Sequence, residues 1–282
     1  MSTNIAKYPG TVLSLETYIP VPLSQIVKSF WCLKVTGFTG SPYTEDILPD
    51  GHHEIIFHLS GDNAIRSNNS TGRIKEPGAF FAGQTLQSYS LELKNNSLLY
   101  GIRFYPHTVH FLFGFPAHII TNNMLPLHEI PKARMLANCI SDDTAITFKN
   151  LEKALLQLEQ EVTVSTNKFQ YARHAVEEII KNKGNTRIDR LIQQTGVSQR
   201  YFDTLFNESV GINPKAFCNI VQLNHFISYK NDHPHKSLTA CCYEAGFFDQ
   251  SHLVKLFRSV TGYSPKEYFK KPNHINNYFS VL

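Results

Sequence analysis

Asp249-Gln-Ser-His-Leu-Val-Lys-Leu-Phe-Arg-Ser-Val-Thr-Gly-Tyr-Ser-Pro-Lys-Glu-Tyr268 reads as a capped helix, a glycine stop and the start of another capped helix. The Asp249 carboxylate can accept from the free amides of a first helical turn. Leu253, Leu256 and Phe257 recur at helical spacing and face inward. Gly262 ends the run, and Ser264-Pro265 supplies a cap followed by a proline at the first turn, where its missing N–H costs nothing. Upstream, Ser237-Leu-Thr-Ala-Cys-Cys-Tyr-Glu-Ala-Gly246 is a shorter helix closed by glycine. Helix, glycine turn and capped helix in that order form the helix-turn-helix pattern.

The pattern occurs twice. Thr186, with Asp189 three positions on, caps a helix whose stripe is Ile188, Leu191 and Ile192 and which ends at Gly196. Ser198 caps the next helix, which buries Phe202, Leu205 and Phe206 and leaves Gln199, Arg200, Asp203, Thr204 and Asn207 outward. Gly211-Ile-Asn-Pro-Lys-Ala-Phe217 and Gly262-Tyr-Ser-Pro-Lys-Glu-Tyr268 then share the ending Gly-x-[Asn/Ser]-Pro-Lys-x-aromatic. A long helix from Pro214 to about Lys230, with Phe217, Ile220, Val221, Asn224 and Ile227 near one face, joins the units. A helix with Phe169, Ala172, Val176, Ile179 and Ile180 on its apolar face precedes them and stops at Lys183-Gly-Asn185.

Charge follows the same division. The 282 residues carry a net +4, but from Lys168 onward 15 Lys and Arg face 9 Asp and Glu, against 12 and 14 before it. Such an excess suits a polyanionic partner, though a basic solvated face is common.

The chain ahead of the repeat is built differently. Thr11–Ile19, Ile26–Val35, Glu54–Leu59, Ala79–Ala82, Ser88–Leu93 and Leu98–Phe104 are short aromatic and β-branched segments separated by turn residues. They predict an antiparallel sandwich or barrel. After Pro106 helical spacing takes over. A helix from Ser141 to about Val162 places Phe148, Leu151, Leu155, Leu158 and Val162 on a heptad seam. The seam serves either packing on its own domain or dimerisation.

The expected boundaries are a sensing domain at 1–125, a helical connector or dimerisation region at 126–162, a linker at 163–167, a DNA-binding domain at 168–272 and a tail at 273–282. Five cysteines without C-x-x-C spacing read as reduced, buried side chains. The start lacks a signal-peptide apolar run and no stretch is long and apolar enough to span a bilayer, so a soluble cytoplasmic protein is expected.

Over about Lys168–Lys271 the sequence resembles the AraC/XylS family of bacterial transcription regulators, most closely along Ala245–Tyr268. The resemblance implies a double helix-turn-helix domain that reads DNA bases through Arg200, Asp203 and Thr204 in the first unit and Gln250, Ser251, His252 and Lys255 in the second. Ser198, Lys215, Arg258 and Lys266 would meet the DNA backbone. Asp203 departs from the family's usual chemistry, since a carboxylate accepts from cytosine but repels phosphate.

Ile47-Leu-Pro-Asp-Gly51 leading into Glu54-Ile-Ile-Phe-His58, and Leu99-Tyr-Gly-Ile-Arg-Phe-Tyr-Pro106, resemble the cupin-like N-terminal domain of a Bacteroides-type subset of these regulators. Together the resemblances imply a sequence-specific regulator of transcription, an activator rather than an enzyme. Its partners would be double-stranded promoter DNA, a small-molecule effector, a second copy and RNA polymerase.

Arg103, Trp31, Phe57 and Tyr100 are the ligand-pocket candidates, with a structural ion pair the other account of Arg103. His52, Glu54 and His58 share one side of an extended segment, and His107 and His110 stand at i and i+3, but the H-x-H-plus-Glu pattern of metal cupins is absent. No metal or cofactor is expected. The rival readings are a cupin-type enzyme with an appended DNA module and an effector-independent architectural DNA-binding protein.

Overall fold

The structure, a computed structural model, describes residues 2–8, 11–37, 41–60, 63–68, 72–161, 167–271 and 275. Ten strands come first: β1 (Ser2–Tyr8), β2 (Thr11–Tyr18), β3 (Val27–Thr36), β4 (Tyr43–Ile47), β5 (His53–Ser60), β6 (Ile65–Asn68), β7 (Gly72–Lys75), β8 (Ala79–Ala82), β9 (Tyr89–Leu93) and β10 (Ser97–Phe104). A short helix α1 (Val109–Phe113), the strand β11 (Met124–Pro126), a series of 3-10 turns and the helix α2 (Thr144–Glu161) follow. The rest is helical: α3 (Asn167–Lys181), α4 (Ile188–Thr195), α5 (Gln199–Val210), α6 (Pro214–Asp232), α7 (Leu238–Glu244), α8 (Gln250–Thr261) and α9 (Pro265–Tyr268).

The strands form two antiparallel sheets, one of seven in the order β1-β2-β3-β10-β5-β8-β11 and one of four in the order β4-β9-β6-β7. The period of two along each strand sorts the larger sheet's side chains onto two faces. One face carries Phe30, Cys32, Ile55, Phe57, Phe81, Tyr100, Ile102 and Phe104, which pack with Phe148, Leu151 and Leu155 of α2 in a single core. The other face carries Trp31, Leu33, Ile56, Phe80 and Leu99, which meet Leu91 and Leu93 of the smaller sheet. Trp31 lies opposite Gly101 in the β3–β10 register. A Cβ on Gly101 would stand 2.0 Å from the indole, so only glycine lets that ring lie flat across the strand.

Period two also corrects the pocket expectation. Phe57 and Tyr100 are cross-strand partners on the α2 side, buried in that core, and are not pocket residues; Trp31 and Arg103 lie on the other face. The heptad residues are corrected in the same way. Phe148, Leu151, Leu155 and Leu158 are at most 2% exposed, because α2 closes the barrel's own core and offers that face to no second chain. Val162 and positions 163–166 lie outside the described residues, and Asn167, expected in the linker, opens α3.

Thr186 does not cap α4: its hydroxyl donates to the Glu178 carbonyl at 3.3 Å, and Arg187 takes the N-cap position without a side-chain bond. Asp143 rather than Ser141 opens α2, accepting from the Ile146 amide at 2.9 Å. No helix among the described residues is long and apolar enough to cross a membrane.

Candidate nucleic-acid interface and effector cavity

The two repeat units fold alike down to their caps. Ser198 Oγ accepts from Tyr201 N at 3.3 Å to start α5, and Asp249 Oδ1 accepts from His252 N at 2.7 Å to start α8. Asn213 Oδ1 accepts from Ala216 N at 2.8 Å at the head of α6, and Ser264 forms a reciprocal capping box with Glu267 at the head of α9. Gly196, Gly211, Gly246 and Gly262 all take left-handed φ values. Each unit buries its own apolar stripe against α6: Phe202 and Phe206 with Phe217 and Val221 in one core, Leu253 and Phe257 with Phe226 and Leu223 in the other.

What this leaves outward is polar. Arg200, Thr204, Gln250, Ser251, His252 and Lys255 are exposed, as are Ser198, Lys215, Arg258 and Lys266, and only Asp203 is half-buried. The Thr204 hydroxyl donates to the Arg200 carbonyl at 2.9 Å, and Gln250 donates to Thr239 Oγ1, tying α8 to α7 across the turn. Phe248, in the turn of the second unit, is 88% exposed and escaped the pattern analysis, since an aromatic next to Phe247 reads as core.

The β-domain grips the opposite ends of α5 and α8. A helix leaves its last carbonyls without partners inside the helix. At the end of α5, Val210 O accepts from Gln84 Nε2 at 2.8 Å and faces His53 Nε2 at 3.1 Å, and Gly211 O accepts from Thr121 Oγ1 at 2.6 Å. At the end of α8, Val260 O accepts from Ser88 N at 2.7 Å, Thr261 O from Ser88 Oγ at 3.1 Å and Ser259 O from Gln87 Nε2 at 3.3 Å. Gln84, Gln87 and Ser88 all belong to the β8–β9 loop. Nearby, Asn224 of α6 donates to Pro49 O at 2.8 Å.

Between the sheets lies a cavity of about 70 Å³, walled by Trp31, Leu33, Ile56, Tyr89, Leu91 and Leu99, and closed by Asn224 and Ile227 of α6. Its polar side is ionic. Arg103 donates to Glu54 Oε1 at 2.9 Å and to Asp50 Oδ2 at 2.5 Å, and the Trp31 indole donates to the same Glu54 oxygen at 3.3 Å. Burial opposes the charged form of Asp50, but the Arg103 charge and bonds from His52 overcome it and hold its carboxyl well below the usual range. Burial keeps Glu54 raised despite Arg103.

Arg66 donates to Glu76, which His58 also meets at 2.8 Å; its guanidinium stacks over Tyr89 at 4.3 Å, and its Nη2 is buried without a hydrogen bond. Arg103 is thus both ion-paired and at the cavity wall. Three of the histidines singled out by spacing have other partners: His52 contacts Asp50, His58 contacts Glu76, and His110 Nδ1 faces the Phe115 carbonyl at 3.1 Å.

Residues 191–271 match the family model described as a helix-turn-helix domain, and residues 17–126 match one described as a domain of unknown function, DUF6597. No curated protein matches the chain. Among solved structures, the chain is similar to ToxT from Vibrio cholerae O395 at 13% identity, over 91% of this chain and 97% of that one, with a TM-score of 0.44. The same protein bound to (E)-4-(8-methylnaphthalen-1-yl)but-3-enoic acid aligns at 11% identity over 91% and 98%, with a TM-score of 0.45. The AraC-like transcriptional activator CuxR aligns at 11% identity over 84% and 86%, with a TM-score of 0.32.

Proposed function

Residues 191–271 being a helix-turn-helix domain of the AraC type, we propose that this chain is a sequence-specific, DNA-binding regulator of transcription, an activator acting in the cytoplasm with RNA polymerase as its partner. The observation that carries the reading is the pairing of α5 with α8. Both are capped, both end at a left-handed glycine, both are anchored by their apolar stripes to α6, and both turn donors and acceptors outward. A rod between two recognition helices suits entry into successive major-groove segments, about one helical turn or 34–36 Å apart.

Arg200 and Lys255 are the long cationic side chains on the two reading faces and would take guanine edges, with Asp203, Thr204, Gln250, Ser251 and His252 as the other base contacts. Ser198, Lys215, Arg258 and Lys266 would contact phosphates and fix the register. The N-terminal half is a cupin-like sensing domain in this reading. Its cavity of about 70 Å³ would have to widen around a metabolite-sized effector, and because its wall includes Asn224 and Ile227 of α6, that widening would press on the element that spaces the recognition helices.

Selection of bound sequences from random DNA by the full chain tests the proposal. Two enriched motifs about 10–10.5 base pairs apart are expected for one chain. On the selected site, at fixed salt, Arg200→Ala and Lys255→Ala should each weaken binding by about 1–3 kcal/mol. A chain that binds the selected site no better than random competitor is an architectural protein instead. In the same assay, an effector from a metabolite pool should change the affinity of wild type but not of Trp31→Ala.

A further inference from the structure

A second cleft, separate from the cavity between the sheets, opens where the β-domain meets α3. Its volume is about 450 Å³, within the size range of small-molecule sites. The β-domain contributes Ser24, Gln25, Lys28 and His107; α3 contributes Arg173 and Lys181. Glu177 is the one carboxylate among its lining residues, and it already pairs with Arg173 Nε at 2.7 Å. Arg173 also donates to Gln25 Oε1 at 3.1 Å, so the cleft is bridged between the two halves of the chain.

The ring of His107 is 2% exposed and neither nitrogen has a hydrogen bond; the Gln25 backbone lies near it but outside hydrogen-bond geometry. Buried polar groups are ordinarily hydrogen-bonded, so an imidazole left in this way invites a partner. Lys28 is half-buried, and burial together with the charge of Arg103 pushes its ammonium down to about 8 against the Asp50 carboxylate. The cations of the wall have partners, Arg173 in Glu177 and Lys181 in Glu178; what the cleft adds is the convergence of Lys28 and Arg173, one from each half, beside the His107 ring.

We propose that this cleft binds a small molecule through an oxyanion group that accepts hydrogen bonds from Lys28 and His107 of the β-domain and from Arg173 of α3. The hydroxyl of Ser24 and the amide of Gln25 complete the donors around it. Tyr105, whose ring lies 6.1 Å from that of His107 and nearly parallel to it, and Val176 and Ile180 of α3 supply an apolar side for the remainder of the molecule. Carboxylates and phosphate monoesters share the chemistry. Because donors come from both halves, an occupant would fasten α3 to the β-domain whether or not DNA is present.

Calorimetric titration of the full chain without DNA, at constant ionic strength set with sodium chloride, tests the site. Benzoate, phenyl phosphate and inorganic phosphate are the probes. Saturable binding by at least one is expected, the carboxylate and phosphate arms distinguishing the source of the oxyanion. Lys28→Met and Arg173→Gln should each weaken it about tenfold or more, as the loss of a charge-assisted hydrogen bond requires, while Lys75→Met on the distant strand β7 should not. Arg173 is partly exposed on a helix surface, so its variant stays folded even if a buried substitution does not. Absence of saturable binding by all three probes overturns the proposal, and so does binding unchanged in Arg173→Gln. Neither result bears on DNA binding, which the selection experiment decides on its own.

Discussion

His53 shows how one side chain can tie acid sensitivity to the contact between the two halves. Wholly buried, it reaches Val210 O at the end of α5, and burial pushes its pKa down to about 4 despite that carbonyl. His52 and His107, also buried, are lowered to about 3. The folded values lie below the unfolded value of about 6.5, so the unfolded chain takes up protons first as the pH falls. Stability is therefore complete above about pH 6.5 and is lost toward about pH 4, at roughly 1 kcal/mol per pH unit for each histidine. The lowered carboxyls of Asp50 and Glu76 add their loss further into acid. Urea unfolding midpoints at about pH 7 and about pH 4.5 should differ accordingly, with a smaller difference in His53→Gln. Equal midpoints at the two pH values would show these rings to be solvated.

Among the elements, β3 and β10 carry the strongest constraint, because Gly101 lies beneath Trp31. Gly101→Ala should cost about 3 kcal/mol by displacing the indole from both the core and the cavity wall, read as a lowered urea midpoint with an unchanged slope. The helical repeat was legible because its signals are local. A cap, a stripe and a glycine lie within a dozen residues, and Ser198, Asn213, Asp249 and Ser264 all cap where the pattern puts them. Six strands were legible from their aromatic and β-branched runs. Five others were not, three of them for visible reasons: Gly72–Lys75 is exposed throughout and has no alternation, Met124–Pro126 contains proline, and Tyr43–Ile47 buries Glu45 where a polar residue reads as loop. The assignment of faces was the larger gap. Alternation separates Tyr100 from Arg103 but cannot tell which side a helix will cover, and the partner of the α2 seam lies more than a hundred residues upstream, at Phe30.

At the scale of the molecule, the two halves meet through carbonyls at the ends of α5 and α8 that those helices cannot satisfy themselves. Gln84 and Ser88 are the shared contact, and the β8–β9 loop that carries them is braced by Asn122 N to Gln84 O at 2.8 Å and by Leu86 N to Asn122 Oδ1 at 2.8 Å. Gln84→Ala combined with Ser88→Ala should remove about 1–3 kcal/mol of stability and speed amide exchange in the last turns of α5 and α8. Exchange accelerated at only one helix end would separate the two contacts.

The loop's double attachment has a thermodynamic consequence. Both helix ends are held by one short segment whose following residue, Tyr89, lines the cavity, so a change of the cavity that moved this loop would reach both helices. Linkage is then reciprocal: if an occupant of the cavity changes operator affinity by some factor, operator DNA changes the occupant's affinity by the same factor. Under the function proposed above, promoters with different spacings between the two motifs would hold the helices differently and so set different thresholds for the same signal. A single regulator could thus respond at graded concentrations across its targets, with the gradation written in the DNA.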